Sequence, residues 1–420
     1  MARIRLSVLL VVLLALGAAG WWSARLADVG IDEPPSDLVP AGRWHRVAED
    51  RRRVEQARAQ LLSLGYLPGR FAAPAGSGVR VLEEDRVWPG VSLYTSGDGP
   101  VVRLIDLEGR ILHRWERPYR SVFPDGLETG ETDYVRRARL LEGGDLIVLY
   151  QGGGIARLDA NANVRWAVAE PAFNDLEIGA GGVLRTLVKR PTLVAEWGGR
   201  EVLEDFVVEL ALDDGAVRRR TSILGALRDS PFQDVLEPLP DGADVLHGNT
   251  VRTLAAGAHE PFAAGQWLVS LREIDTVAVI DPASGRPVWA QRGPWRRQHD
   301  PTLLPGGRLL LFDNRGDGGS SRALELEVES GVVIWQYRDV DSPEAGTCRR
   351  LPNGSTLITE SERGRALEIA AAGEIVWEFV SPHRAGGSGE LIATLFEVER
   401  YRVEGDWLER QVEEGPELER

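Results

Sequence analysis

The sequence is poor in lysine, cysteine and net positive charge, and each shortage narrows what the chain can do. Lys189 is the only lysine, which excludes Schiff-base or phosphate-loop chemistry that needs a second one. Cys348 is the only cysteine, so the chain can form neither an internal disulfide nor a cysteine-based metal site. The net charge of −15 and the isoelectric point near 5.1 argue against nucleic acid as a partner.

The composition is that of a globular, turn-rich chain. Its 420 residues are 43% hydrophobic and 27% charged, which is ample for a core and long for one ordinary domain. The 47 glycines and 24 prolines indicate many turns, as all-β architectures require. A closed all-β assembly would accommodate this length as a single domain.

The N-terminus predicts export. Arg3 and Arg5 precede an apolar run from Leu6 to about Trp22, so residues 1–25 are predicted to be a signal-anchor or a signal peptide. The run is at the lower limit of a membrane span, and two tryptophans at its end suit the membrane interface. Its alanine-rich part would also allow cleavage. We expect the rest of the chain on the periplasmic or extracytoplasmic face of a membrane, held by a single-pass transmembrane helix if the segment is retained.

Residues 26–78 are predicted to hold a linker and one helix. Residues 30–42 are rich in proline and acidic residues and show no period, as in a linker. Apolar residues recur at helical spacing over residues 47–64, and Gly65 and Pro68 end the pattern. We expect this amphipathic helix to pack on the following domain as a lid or plug.

From about Val79 the hydrophobic period changes to two, and a unit of roughly 40 to 50 residues recurs six times. This period is typical of the four-stranded blades of a β-propeller. We therefore predict an all-β fold, with a six-bladed β-propeller over residues 79–408 and a polar tail over residues 409–420. The strand-like run from Gly389 is expected to close the ring against the first blade.

Five of the six units end their last strand in tryptophan, and the third has arginine in that place. These tryptophans are Trp115, Trp166, Trp289, Trp335 and Trp377. We interpret them as packing residues between blades rather than as a stack for a cofactor.

Candidate ligand-binding residues precede the first strand of each unit, because a propeller binds ligands at the mouth of its central channel. The fourth unit begins with His247 and Asn249, and the fifth with His299 and Asp300. Two of the six histidines thus occupy the same place in successive units, which would bring them to one axis. The alternative is a pair of solvated turn histidines.

Five stretches follow one another between about Asp244 and Phe379: DVLHGNTV, WLVSLREIDTVAVIDPASGRPVW, QHDPTLLPGGRLLLFDN, RRLPNGSTLITES and GEIVWEF. Together they resemble the arylsulfotransferase family of bacterial β-propeller enzymes. The first half of the chain matches only as blade-like repeats. The resemblance implies an exported enzyme that moves a sulfuryl group from one phenol to another without a nucleotide donor. It also implies histidines and an arginine at the propeller mouth, with one histidine transiently sulfated.

The family pattern assigns individual residues. His247 and Asn249 match the histidine and asparagine of its D-x-x-H-x-N motif, and His299 matches the QH motif of the next blade. Arg272 matches a polar position in the preceding strand, and Arg315 lies in the region that supplies the family's arginine. Pattern and position together imply catalytic roles for His247, His299 and Arg315 and substrate-binding roles for Asn249, Arg272, Asp300, Asn314 and Arg349.

These residue types suit sulfuryl transfer to or from small phenolic or aryl sulfate molecules. A neutral imidazole can attack sulfur or deprotonate a phenol, because its pKa lies near the working pH. A planar arginine stabilises charge on the non-bridging oxygens. We expect Asp300 to orient His299 as the base, while His247 binds the sulfonate or protonates the leaving group. This chemistry needs no metal and no cofactor.

The sixth unit departs from the family pattern. Cys348 and Arg349 stand where the sulfated histidine is expected, and His383 comes later in a loop. The departure favours a second hypothesis, a non-catalytic exported propeller that acts as a binding or assembly scaffold. The set of His247, Asn249 and His299 favours the enzyme.

The sequence gives less support to a quinoprotein dehydrogenase or to a calcium-binding loop. A quinoprotein dehydrogenase would need a vicinal cysteine pair and convincing calcium ligands, which the sequence lacks. Residues 313–319, DNRGDGG, have arginine at a position that a calcium loop uses for a ligand, so we predict a polar turn there.

Overall fold

The computed structural model describes residues 68–130, 132–257, 259–385 and 389–415. The predicted N-terminal apolar segment and the predicted amphipathic helix lie outside these residues. Within them, no helix combines the length and the apolar character that a membrane crossing requires.

The described chain is mostly β. Its first strands are β1 (Gly69–Ala72), β2 (Gly78–Leu82), β3 (Val91–Ser96), β4 (Val101–Ile105), β5 (Ile111–Glu116), β6 (Arg137–Leu140), β7 (Leu146–Tyr150), β8 (Gly154–Leu158), β9 (Val164–Val168), β10 (Ala172–Gly179), β11 (Val183–Val194), β12 (Arg200–Ala211), β13 (Val217–Ser222) and β14 (Gly248–Thr253). The remaining strands are β15 (Trp267–Leu271), β16 (Thr276–Asp281), β17 (Arg286–Arg292), β18 (His299–Leu304), β19 (Arg308–Asp317), β20 (Ser320–Glu327), β21 (Val333–Tyr337), β22 (Thr347–Arg350), β23 (Thr356–Glu360), β24 (Arg365–Ile369), β25 (Ile375–Val380), β26 (Arg384–Ala385), β27 (Leu391–Ala393) and β28 (Leu395–Tyr401). The α-helices of these residues are α1 (Tyr119–Val122), α2 (Ile223–Arg228) and α3 (Asp406–Glu414).

Six antiparallel sheets follow one another along the chain, each built on a meander of consecutive strands, and sheets 1 and 6 each include one strand from the other end of the described region. Sheet 1 has the order β28-β3-β4-β5, sheet 2 β6-β7-β8-β9, sheet 3 β10-β11-β12-β13, sheet 4 β14-β15-β16-β17, sheet 5 β18-β19-β20-β21 and sheet 6 β22-β23-β24-β25-β2. A small additional sheet has the order β1-β27-β26. The predicted repeat of four-stranded units is confirmed, and this is the sheet arrangement expected of a β-propeller.

Sheet 1 joins the two ends of the described region. Its strand β28 pairs with β3, so that Leu395 lies opposite Ser96 and Tyr401 opposite Val91. This is the pairing that the sequence predicts for the run after Gly389. Sheet 6 in turn touches sheet 1 through β23 and β28, so contacts between neighbouring sheets return to their starting point.

A ring of alternating charges connects the first strands of the six sheets. We call these six residues the central ion-pair ring: Glu397 (β28), Arg139 (β6), Asp175 (β10), Arg252 (β14), Asp300 (β18) and Arg349 (β22). Their N–O separations are 2.6 Å for Arg139–Glu397 and Arg349–Glu397, 2.7 Å for Arg252–Asp300, 3.3 Å for Arg349–Asp300 and 3.5 Å for Arg139–Asp175, and Arg252 also pairs with Asp175. Because acids and arginines alternate around it, the ring closes only with an even number of sheets.

The core lies between the sheets. Every residue of Leu146–Tyr150 is buried, because neighbouring sheets cover both faces of this strand. The outer-strand tryptophans pack against the neighbouring sheet, as predicted: Trp115 of sheet 1 packs with Leu146 and Val148 of sheet 2. The indole nitrogen of Trp377 donates a hydrogen bond of 2.8 Å to the carbonyl oxygen of Leu107, which links sheets 6 and 1.

The structure at both ends of the described region differs from what the sequence predicts. Strand β1 forms where a linker and helix are predicted, with Gly69 opposite Ala393. Helix α3 forms at the predicted polar tail, where Leu408 is buried and Trp407 packs edge-on against His113 at 5.2 Å. Two apolar side chains anchor this helix, and they are hard to recognise among the many charged residues around them.

Sheet 3 contains a hairpin that extends past its first strand. Strands β11 and β12 each have 12 residues, but β10 pairs with β11 only as far as Ala172 opposite Val188. Beyond that point the hairpin continues with Lys189 opposite Asp205. The extension projects on the side where the first strands begin, which we call the mouth side.

Candidate functional site

Two predicted histidines lie on the mouth side of neighbouring sheets. His247 directly precedes β14 and His299 is the first residue of β18; they are 5% and 2% exposed. His247, Arg297 and Asp300 have φ angles of 50°, 55° and 50°, in the left-handed region that non-glycine residues rarely adopt. Backbone strain of this kind concentrates at functional sites, because the surrounding structure must hold it.

Asp244 orients His247. Nδ1 of His247 lies 2.6 Å from Oδ2 of Asp244. Burial by itself raises the pKa of Asp244, but the charge of Lys189 and the hydrogen bond with His247 oppose it, so the net shift is downward and the carboxylate is ionised. Because a carboxylate only accepts, Nδ1 donates and Nε2 carries the lone pair. Burial lowers the pKa of His247 to about 3, against the opposing effect of Asp244, so the ring is neutral at neutral pH.

Lys189 and Asp205, from the extended hairpin, lie behind this pair. Nζ of Lys189 pairs with Oδ1 of Asp244 and lies 3.6 Å from Oδ1 of Asp205. The same Asp205 oxygen accepts a hydrogen bond of 3.0 Å from the backbone nitrogen of Gly248. A Cβ at Gly248 would lie 3.0 Å from that oxygen, so glycine allows the close approach. Burial raises the pKa of Asp205 to about 7, although Lys189 opposes the shift.

His299 is held by two oxygen acceptors. Its Nδ1 lies 2.7 Å from Oδ1 of Asn314 and 3.0 Å from the carbonyl oxygen of Arg297. A carbonyl oxygen cannot donate, so Nδ1 carries the proton. Nε2 is buried and makes no hydrogen bond among the described residues. Burial lowers the pKa of His299 well below its ordinary value, and Arg272 lowers it further. The result is a neutral imidazole with an uncommitted lone pair.

Arg272 is the cation that the two histidines share. It follows β15, and its backbone nitrogen donates to the carbonyl oxygen of His247 at 3.2 Å. Its charge lowers the pKa of both histidines, in addition to the larger effect of burial. Its guanidinium pairs with Glu273 at 2.8 Å and with Glu344. We call His247, His299 and Arg272 the histidine site.

Two further residues act on His299 from other sheets, Asn249 from the neighbouring sheet 4 and Arg136 from sheet 2. The charge of Arg136, just before β6, also lowers the pKa of His299, and its guanidinium lies 4.7 Å from the ring centre of Phe396. Nδ2 of Asn249 donates a hydrogen bond of 2.8 Å to the carbonyl oxygen of Gln298. Asn249 therefore ties β14 to the residue before His299.

Arg315 lies at the edge of this cluster. Its Nε donates to the carbonyl oxygen of Pro343 at 3.2 Å, its Nη2 pairs with Glu344, and its side chain is 39% exposed. Glu344 thus joins Arg315 to Arg272. Of the two, Arg272 is the arginine whose charge acts on the histidines.

Asp300 and Arg349 belong to the central ion-pair ring rather than to the histidine site. The expectation that Asp300 orients His299 is wrong: its carboxylate is taken by Arg252 and Arg349, and Asn314 orients the histidine instead. The left-handed backbone at Asp300 turns the chain between the two adjacent side chains.

The sixth sheet contributes no nucleophile at the position of Cys348. This side chain is fully buried and packs in an apolar cluster with Phe312 and Ile358. His383 lies in a separate contact, where its Nε2 is 2.9 Å from the hydroxyl of Tyr94. Residues 313–319 form the end of β19 and a hairpin turn, with Oδ1 of Asp313 accepting from the backbone nitrogen of Gly316 at 2.8 Å.

Sequence reasoning missed Lys189, Asp205, Asp244 and Arg136. Asp244 stands three residues before His247 in the quoted motif, and this spacing was an available signal. The sequence distinguishes Lys189 only by its being the single lysine of the chain. The other two lack a sequence signal, because pairing of distant strands brings them to the site.

Comparisons with known proteins identify a family for part of the chain. Residues 181–382 match the family model described as Arylsulfotransferase (ASST). No curated protein sequence matches the chain.

Among solved structures, the chain is similar to a protein of unknown function from Bacteroides caccae, at 16% identity over 73% of this chain and 98% of that one, with a TM-score of 0.49. It is also similar to a streptogramin B lyase, at 13% identity over 80% of this chain and 96% of that one, with a TM-score of 0.43. A third similar structure is the WD40 β-propeller domain of Doa1, at 12% identity over 80% of this chain and 95% of that one, with a TM-score of 0.42.

The family match runs from the start of β11 to just past β25. It therefore includes Lys189, both histidines, Arg272 and Asn314. The resemblance recognised in the sequence is confirmed for this part of the protein: residues 181–382 match the model of the arylsulfotransferase (ASST) family.

Proposed function

We propose that the six sheets are the blades of a six-bladed β-propeller and that its histidine site transfers a sulfuryl group between phenolic compounds without a nucleotide donor. The observation that carries this proposal is the pair of buried imidazoles, each with its Nδ1 held by an oxygen acceptor, beside Arg272. Each Nδ1 is committed to an acceptor, so each Nε2 holds the lone pair that nucleophilic or base chemistry requires.

His299 is the nucleophile in this proposal. Its Nε2 attacks the sulfur of an aryl sulfate, the N–S bond forms as the S–O bond to the aryl group breaks, and the electron pair leaves with the phenolate. The ring becomes cationic, and Nδ1–H stays bonded to Asn314 and to the carbonyl oxygen of Arg297. Arg272 supplies positive charge for the sulfuryl oxygens.

His247 is the base for the second transfer. The oxygen of the acceptor phenol attacks sulfur while Nε2 of His247 takes its proton, and the N–S bond breaks with its electron pair returning to His299. Asp244 stabilises the imidazolium that forms. The proton then passes to the phenolate released in the first transfer, so charge and electrons balance without a redox partner.

We also propose that this reaction takes place outside the cytoplasm. The basic residues and apolar run at the N-terminus support export, with the chain held at the membrane if the segment is retained. Small phenols and aryl sulfates are the partners that this chemistry requires.

The test uses the purified full chain with para-nitrophenyl sulfate as donor and phenol as acceptor. His299→Ala and His247→Ala should each lower acceptor-dependent turnover by about 10²–10⁴-fold. His259→Ala is the matched control, because that ring is 40% exposed and lies next to Glu329. Donor without acceptor should add the mass of one SO₃ group to the peptide that contains His299.

Full activity in His299→Ala would remove this residue from the mechanism. No turnover across a panel of donors, with the fold intact, would favour the alternative of a binding or assembly scaffold.

A further inference from the structure

We infer that Lys189 is a positioning residue for His247, acting through Asp244 to keep the imidazole neutral with its Nδ1–H directed at the carboxylate. The catalytic consequence rests on the proposed function, whereas the effect on the histidine itself does not. Lys189 stands outside the histidine site, on the extended hairpin of sheet 3, 58 positions before His247 in the chain.

The geometry gives Asp244 two partners on its two oxygens. Oδ2 lies 2.6 Å from Nδ1 of His247, and Oδ1 pairs with Nζ of Lys189. The side chains of Lys189, His247 and Asp244 are 1%, 6% and 7% exposed, so water screens these charges little. One buried carboxylate is thus shared between a fixed cation and a titratable ring.

The groups that face His247 have opposite effects on the pKa of its ring. Asp244, from its own loop, favours the protonated ring. Lys189 from β11 and Arg272 after β15 disfavour it, and a charge on His299 at the start of β18 would do so too. Without Lys189, the carboxylate would stabilise imidazolium with less opposition, and a protonated His247 could not accept a proton from a phenol.

Asp205 is the counterpart of Lys189 on the neighbouring strand. Its Oδ1 lies 3.6 Å from Nζ of Lys189 and accepts a hydrogen bond from the backbone nitrogen of Gly248, the residue after His247. The extended hairpin therefore holds His247 in two ways, through Asp244 on the side chain and through Gly248 on the backbone. This second contact places Lys189 at a fixed position relative to the loop that carries the histidine.

The alternative is that Lys189 is only a structural ion pair of the hairpin. Both interpretations predict that its removal destabilises the fold, because the buried carboxylate of Asp244 loses its cation. They differ in the titration of His247. The positioning role predicts a higher pKa for this one ring, and the structural role predicts no change in it.

The experiment follows the histidine rings of the full chain by NMR with ¹⁵N-labelled histidine. A His247→Gln variant identifies the signal of this ring. In the unsubstituted protein His247 should stay neutral, with Nδ1 protonated, from about pH 8 down to about pH 5. In Lys189→Met its pKa should rise by about 1–3 units, since one opposing charge is lost, and Lys189→Arg should restore the original behaviour.

Turnover provides a second readout. If the chain transfers sulfuryl groups, the acid limb of its kcat/KM profile should move to higher pH in Lys189→Met and return in Lys189→Arg. If the chain transfers none, the proposed function fails, but the NMR titration still decides the inference.

A folded Lys189→Met protein with an unchanged His247 titration would overturn the inference, as would a Lys189→Arg protein that titrates like Lys189→Met. If Lys189→Met does not fold, the double variant Lys189→Met/Asp205→Asn removes one cation and one acid together. His247 should again titrate at higher pH in that variant, and an unchanged titration there would count equally against the inference.

Discussion

Asn314 accepts a hydrogen bond from Nδ1 of His299 through Oδ1, over 2.7 Å, while its own amide nitrogen donates to two backbone carbonyls. These carbonyls belong to Ser342 and Ala345, at 2.6 and 2.8 Å. Because two acceptors hold the nitrogen, the amide has one orientation, and its oxygen must face the histidine. A residue of β19 thus decides which nitrogen of His299 carries the lone pair.

Asn314→Ala should therefore affect both turnover and stability. We expect kcat to fall about 10–100-fold, because loss of an orienting partner releases the ring. The free energy of unfolding should fall by about 1–3 kcal/mol, since two buried carbonyls lose their donor. Steady-state kinetics and urea denaturation measure the two effects. Asn353→Ala, in an exposed turn, is the control, and an unchanged kcat in Asn314→Ala would contradict the orienting role.

The two buried histidines should each reduce the stability of the protein on mild acidification. The pKa of His247 is about 3 in the folded protein and that of His299 is well below 6.5, which is near the value of an unfolded histidine. Between these limits each of these two rings binds more protons in the unfolded chain, so each lowers the free energy of unfolding as pH falls below about 6.5. Each histidine contributes up to about 1.4 kcal/mol per pH unit in this window.

Urea denaturation at several pH values measures this slope. His247→Gln and His299→Gln should each show a shallower loss of stability below about pH 6.5 than the unsubstituted protein. His259→Gln is the matched control on an exposed ring. Identical slopes in all four proteins would show that the buried histidines do not resist protonation.

Arg349→Met should destabilise the fold without weakening substrate binding. Arg349 lies 2.6 Å from both Glu397 and Glu399 and 3.3 Å from Asp300, so its loss removes one cation from three carboxylates, two of which are buried. We expect a cost of about 3–5 kcal/mol, measured by denaturation, with an unchanged KM for the aryl sulfate.

The exposed pair of Arg402 and Glu404 provides the comparison for this change. Arg402→Met should alter stability by less than about 0.5 kcal/mol, because water screens the pair. A raised KM together with unchanged stability in Arg349→Met would instead place Arg349 in the substrate site.

Arg272→Met should reduce turnover more than Arg315→Met. The charge of Arg272 acts on both histidines, whereas Arg315 is 39% exposed and engaged with Glu344 and Pro343. We expect a loss of about 10²–10³-fold for Arg272→Met, as for other groups that stabilise transition-state charge, and less than about tenfold for Arg315→Met. A larger loss of kcat/KM in Arg315→Met than in Arg272→Met would show that Arg315 is the residue that stabilises the sulfuryl oxygens.

Cys348→Ala should leave turnover unchanged. The thiol is fully buried among apolar side chains, and burial raises its pKa well above the ordinary value, so little thiolate exists at neutral pH. A thiol reagent should react only after denaturant is added. Rapid reaction of the native protein, or loss of turnover on modification, would contradict this.

The sequence by itself was sufficient for the repeat and for part of the cluster around the two histidines. The repeat was predicted from the change of hydrophobic period near Val79 and from the recurring tryptophans. Both depend on local spacing, and the observed sheets agree with the repeat. His247, Asn249, His299 and Asn314 were found because each stands at or near a strand end within a recognisable motif.

Only the tertiary structure decided which of these residues act together. Asp300 follows His299 in the chain, yet its carboxylate belongs to the central ion-pair ring, because a left-handed backbone separates the two side chains. Lys189 reaches Asp244 only once β11 extends past β10, and Arg136 approaches His299 only once sheets 2 and 5 face the same axis. Local spacing specifies strands and turns, but charges that meet across distant strands are set by register and by the packing of the sheets, which no short stretch of sequence contains.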